Sequence, residues 1–156
     1  MTLLALGIGV TPALAANPHF IGEPTCSKTV INDRATVTCS GKAAGLGTSP
    51  ARVFLTADQI AAQYVCVNPG GNTAPGKPAF FQLLTGPVQN ITPHAGQITF
   101  SVSMTSPPNP SPSQVCPNGN WTVHLISVTF HNLTLHIQQP AGTDVLIWNF
   151  GDVDPR

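Results

Sequence analysis

Apolar and polar residues alternate through most of this chain, and clusters of Gly, Pro and Asn interrupt the alternation at short intervals. A period of two places successive side chains on opposite faces of a strand. From Arg34 to Gly41, Ala35, Val37 and Cys39 fall on one face and Thr36, Thr38 and Ser40 on the other. From Gln97 to Met104 the inward set is Ile98, Phe100, Val102 and Met104. Arg52 to Ala57 aligns Val53 with Leu55, and Ile60 to Val67 sets Tyr64 and Cys66 opposite Val65 and Val67. Phe80 to Leu84 and Val88 to Thr92 straddle a Gly86-Pro87 turn, Phe20 to Lys28 reads as an irregular first strand, and Asp144 to Phe150 as the last. Ile31-Asn32-Asp33 supplies turn chemistry between TCSKTV and RATVTCSG. Residues 41–50 are rich in small residues and turn formers, with Leu46 expected to plug the core; 106–113, SPPNPSPS, is a Pro-rich loop.

The segment WTVHLISVTFHNLTLHIQ (121–138) changes parity twice. Trp121, Val123 and Leu125 share one face, Ile126, Val128 and Phe130 the other, and Leu133, Leu135 and Ile137 switch again. A strand changes parity through a bulge, a turn or a crossing between sheets. His131-Asn132 is the candidate turn or crossover. No stretch sustains a helical period; ADQIAAQY (57–64) comes nearest and allows a short helical turn, although its flanks favour strand. About eight or nine short strands with frequent turns predict an all-β chain, an antiparallel β-sandwich of the immunoglobulin-like Greek-key kind, with a closed barrel as the alternative.

Charge narrows the function classes. Only 8% of the 156 residues are charged, six basic against six acidic. A nucleic-acid binder needs a basic face, which this composition does not supply. Paired carboxylates for hydrolytic chemistry are equally scarce. At 42%, hydrophobic residues suffice for a core. MTLLALGIGVTPALAANPHF opens the chain as a secretory signal would: residues 3–10 are apolar, Pro12 breaks the run, and Ala13-Leu14-Ala15 gives an A-x-A cleavage pattern. The expected organisation is a signal peptide over 1–15 and one secreted domain over 16–156. No Lys or Arg precedes the apolar run, so Met1 is expected to lie inside a longer signal. No later stretch approaches the roughly 20 apolar residues of a membrane-spanning helix.

Cys26, Cys39, Cys66 and Cys116 are an even set in an exported chain, which predicts two disulfides. Three connectivities are open. The hairpin favours Cys26–Cys39, leaving Cys66–Cys116, whose members each open a Pro/Asn/Gly loop. A zinc site lacks the C-x-x-C spacing.

Three stretches in order, GKAAGLG (41–47), CVNPGGNTAPGKP (66–78) and VCPNGNW (115–121), resemble a family of small secreted bacterial proteins of actinomycete type. The likeness covers nearly the whole mature chain. That family has no characterised activity, so the resemblance implies location and architecture rather than chemistry. It also implies the Cys66–Cys116 pairing.

The candidate chemistry is sparse. In VNPGGN, Asn68-Pro69-Gly70-Gly71 fits turn positions better than a phosphate loop, which would need GxxxxGK[ST] leading into a helix. His124 and His136 would hold a transition metal only if they met across a sheet. Asp144, Asp152 and Asp154 are the candidate calcium ligands, although the GDVDPR tail carrying two of them is expected to fray. Ser, His and Asp show no G-x-S-x-G elbow, so no catalytic residue is assigned. Tyr64, Trp121 and Trp148 are the candidates for stacking on a sugar or apolar ligand. The expected function is that of a non-enzymatic extracellular module without cofactor or metal, acting at the cell surface or matrix. Its expected partners are copies of itself or surface glycan. A glycan- or small apolar ligand-binding protein is the alternative.

Overall fold

A computed structural model describes residues 17–155. The predicted signal peptide lies outside them. The elements are β1 (His19–Phe20), β2 (Thr25–Ile31), β3 (Arg34–Ala44), β4 (Ala51–Val67), β5 (Thr73–Pro75), β6 (Ala79–Thr85), β7 (Gln89–Ile91), β8 (Ile98–Thr105), α1 (Pro112–Val115), β9 (Thr122–Gln138) and β10 (Asp144–Val153). All strand pairs are antiparallel and form two sheets that do not close into a barrel. In the smaller sheet, β3 is central, with β1 and β2 along one edge and β8 along the other. In the larger, β10, β9 and β4 lie in order, and β7, β6 and β5 follow one another along the far edge of β4.

The alternating residues form the core. Ala35, Val37 and Cys39 of β3 and Ile98, Phe100, Val102 and Met104 of β8 are buried, as is Leu46. The β2–β3 hairpin turns on Asn32 and Asp33 with φ of 49° and 58°. Positive φ at both central residues is what a two-residue turn between twisted strands requires, and Asn and Asp tolerate it. Cys26 and Cys39 stand opposite each other across this hairpin and are bonded.

Several expectations need correction. Two expected strands are one: β4 runs unbroken through 57–64, leaving no helical turn. The first expected strand splits into β1 and β2, and β5 was not anticipated, which brings the total to ten. His131-Asn132 is neither a turn nor a crossing, because β9 continues through it in the same sheet. The tail is ordered strand as far as Val153, the end of β10, and Lys28 Nζ donates to the Asp154 carbonyl at 3.2 Å.

Both parity breaks are real and have different causes. At Ile126 the register slips, since Gln63 pairs with Ser127 but Tyr64 with Leu125; the extra residue bulges outward, half exposed. At His131-Asn132 there is no slip. Thr56 pairs with Thr134 and Gln59 with His131, so both strands take the same extra step. In β4 the buried set changes from Val53, Leu55 and Ala57 to Ile60, Ala62 and Tyr64. In β9 it changes at the same level, from Ile137, Leu135 and Leu133 to Phe130 and Val128. The fold line continues laterally. Leu83 of β6, opposite Asp58, has φ of 45°; Asn132 has φ of 53°; and Gly151 of β10, beside Leu133, has φ of 70°.

Candidate functional site

Two irregular regions are the candidates. The first is the disulfide-tethered end. Cys66, at the end of β4, is bonded to Cys116 just after α1, with Cα atoms 5.8 Å apart. The VNPGGN loop folds back as β5, which pairs with β4 from Thr73 to Pro75. Its turn is hydrogen-bonded within itself: Asn68 N–H donates to Asn72 O, Gly71 N–H to Asn68 O and Asn72 N–H to Asn68 Oδ1, at 2.8–2.9 Å. Gly76 N–H donates to Tyr64 O at 2.9 Å and Lys77 N–H to Val115 O at 2.8 Å. A Cβ on Gly76 would stand 3.0 Å from that of Tyr64, so glycine alone lets the chain approach this closely. These backbone donors are engaged, and the region closes one end of the core.

The three stacking candidates do not assemble. Tyr64 is only 3% exposed, which leaves its ring no face for a ligand, and burial pushes its phenol pKa up. Trp148 is partly buried against the core, its ring edge-on to that of Phe20 at 5.6 Å. Trp121 is half-buried just before β9.

The second region is the outer face of the larger sheet, where the fold line passes. Asn132 is its hub. Its Nδ2 donates to Asp58 Oδ2 at 2.7 Å, its Oδ1 accepts from Asn149 Nδ2, and its backbone N–H donates to Asp152 Oδ1 at 3.0 Å. That backbone bond, with His131 Nδ1 on Asp152 Oδ2 at 3.1 Å, holds the Asp152 carboxyl below the usual range. Above the fold line, Asp144 Oδ2 accepts from His136 Nδ1 at 3.1 Å, while Thr56 Oγ1 lies 2.8 Å from His136 Nε2. The His136 ring stacks on Phe54, centroids 5.0 Å apart.

His124 and His136 lie on one strand and do not converge; His124 is bonded to Asp33 at 3.0 Å. Asp144 and Asp152 of β10 and Asp154 just beyond it have separate partners, Asp154 accepting from Thr129. Among the described residues no three His, Cys, Asp or Glu side chains group as a metal site, and no helix is long and apolar enough to cross a membrane.

Beside the fold line lies an open recess of about 220 Å³, lined by Thr56, Ala57, Asp58, Leu83, Thr85 and His136, with Leu84. A larger hollow of about 370 Å³ at the turn before β8, lined by residues including His94 and Gln97, carries no carboxylate. Leu83 stands at the first recess 82% exposed. Sequence reading missed Leu83, Asp58 and Asn132. The available signal was that Asp58-Gln59 and His131-Asn132 interrupt two alternating runs in the same manner; laid antiparallel, the interruptions coincide.

No protein-family model matches this chain, and no curated protein matches it significantly.

Proposed function

We propose that this protein is a non-enzymatic, secreted β-sandwich module that works by binding, at the cell surface or matrix, through the outer face of its larger sheet. Leu83 carries the reading. A leucine at φ of 45° sits in a left-handed conformation that costs an L-residue about 1–2 kcal/mol. Its side chain is 82% exposed, so it returns almost no burial in exchange. The bend of the sheet sets this backbone, but the strained residue presents an apolar side chain that gains no burial inside the fold, which points to a partner outside it. Phe80, 59% exposed, lies on the same strand, and Ile147, 54% exposed, pairs with His136 on the same sheet.

Secretion is supported by the two disulfides, which persist in oxidising compartments, and by the signal-like first residues. The passage of the chain from β3 to the larger sheet and back to β8 beside β3 supports the immunoglobulin-like form of the sandwich. A binding rather than catalytic role fits the Thr56–His136–Asp144 array. Thr56 lies mid-strand between β6 and β9, where the backbone N–H groups that an oxyanion would need serve the ladders. Self-association through strand edges is the weaker form of the reading. The outer strand β2 carries Lys28 mid-strand, β10 has three register shifts and β6 is kinked at Leu83, and each such feature opposes edge pairing.

The test is amide-shift mapping of ¹⁵N-labelled protein with soluble cell-envelope fragments. Shifts are expected at Thr56, Asp58, Leu83 and Thr134. Shifts confined to β2, β3 and β8 would place the binding surface elsewhere and sink the reading.

A further inference from the structure

We propose that the recess beside Leu83 binds a neutral saccharide through donated hydroxyl hydrogens. This rests on the outer-face reading above and names the ligand class for that face.

The hydrogen-bond polarity of the recess follows from its chemistry. An ionised carboxylate only accepts, so the bond at 3.1 Å between His136 Nδ1 and Asp144 Oδ2 places a proton on Nδ1. In the neutral imidazole, Nε2 is then the acceptor, and Thr56 Oγ1, 2.8 Å away, donates its hydrogen to it. The Thr56 oxygen therefore offers the recess lone pairs only. Asp58 accepts from Asn132 Nδ2 through Oδ2, and no hydrogen bond to its Oδ1 occurs among the described residues. Two acceptors thus border one recess, which favours an occupant that brings donors.

Thr85 adds one hydroxyl that can donate or accept, and the other walls, Leu83, Ala57 and Leu84, are apolar. A pyranose ring has the matching division, with hydroxyls around its rim and C–H groups on its faces. About 220 Å³ is smaller than the roughly 300–1,000 Å³ of drug-sized sites and suits one ring. From the recess the polar row continues through Asn132 of β9 to Asn149 of β10. Strands stand about 4.8 Å apart, so this row extends about 10 Å further, enough for neighbouring rings of an oligosaccharide. A chain with 8% charged residues and no net charge suits a neutral ligand.

The experiment titrates ¹⁵N-labelled protein separately with cellohexaose, xylohexaose, chitohexaose and maltohexaose, with butylammonium chloride as a competing donor class. At least one oligosaccharide is expected to shift the amides of Thr56, Asp58, Leu83 and Thr85 to saturation. Thr56→Val removes one acceptor, and Asp58→Asn replaces the other while preserving a carbonyl for Asn132. Each is expected to weaken binding at least tenfold, with unchanged unfolding midpoints as the check on folding. Shifts with butylammonium but none of the sugars would overturn the saccharide assignment and leave the binding face standing. Silence from all four sugars would overturn it too. The envelope-fragment mapping then decides separately whether the face binds anything. Saccharide binding that both variants retain would overturn the assignment of these acceptors.

Discussion

The tethered end and the fold line both break the regularity of the larger sheet, yet they do so with opposite economy. At the tethered end every irregular feature found has an internal reason. The Cys66–Cys116 bond, the Asn68 turn and the close approach at Gly76 satisfy one another. At the fold line Asn132 is satisfied in the same way and the bend accounts for the Leu83 backbone, but the Leu83 side chain is left exposed. Irregularity with an internal explanation is structural. Irregularity that leaves an apolar side chain in solvent marks the surface where function is to be sought.

The largest test removes the tether. Replacing Cys66 and Cys116 with alanine should destabilise the fold by about 4 kcal/mol, against about 3 kcal/mol for the shorter Cys26–Cys39 loop. Urea unfolding of the two double variants measures this. Equal losses would show that loop length does not set the contribution of these bridges. Next, Gly76→Ala forces a Cβ to within 3.0 Å of Tyr64 Cβ and 3.1 Å of its carbonyl. A loss of about 1–3 kcal/mol is expected in the same assay. A neutral result would show that the loops approach less tightly.

Leu83→Gly should do the reverse. Relief of the left-handed backbone is worth about 1 kcal/mol, reduced by the greater unfolded-state freedom of glycine. A raised melting temperature together with weaker envelope binding sharpens the comparison; a lowered one breaks it. The smallest effect concerns Asp152. Its carboxyl is held low by the Asn132 N–H first and by His131 second, so its folded pKa lies below its unfolded one. Such a group stabilises the fold above the unfolded pKa, and the contribution disappears as pH falls through the folded pKa. The urea midpoints of wild type and Asp152→Asn should therefore differ at neutral pH and converge in strong acid. A difference independent of pH would assign the effect to packing.

How far the sequence could be read depended on the range of the information. The buried faces of β3 and β8 followed from alternation alone, and the hairpin at Asn32-Asp33 from turn chemistry, because neighbours in sequence determine both. The Cys26–Cys39 pair was legible because its members flank that hairpin. The candidate site was hardly legible. His136 is one residue among five histidines until β10 brings Asp144 and β4 brings Thr56 beside it. Tyr64 offered a stacking ring in the sequence and is buried in the fold.

By itself, then, the sequence determined that the chain is a disulfide-bonded antiparallel sandwich and which faces of its strands are buried, since a period of two and local turns encode those directly. Only the tertiary structure decided that the breaks in β4 and β9 coincide. Lateral register is a relation between strands, set by how whole runs of side chains pack, and neither strand carries it alone. That coincidence bends the outer face, lifts Leu83 into solvent and gathers Thr56, Asp58 and His136 around one recess.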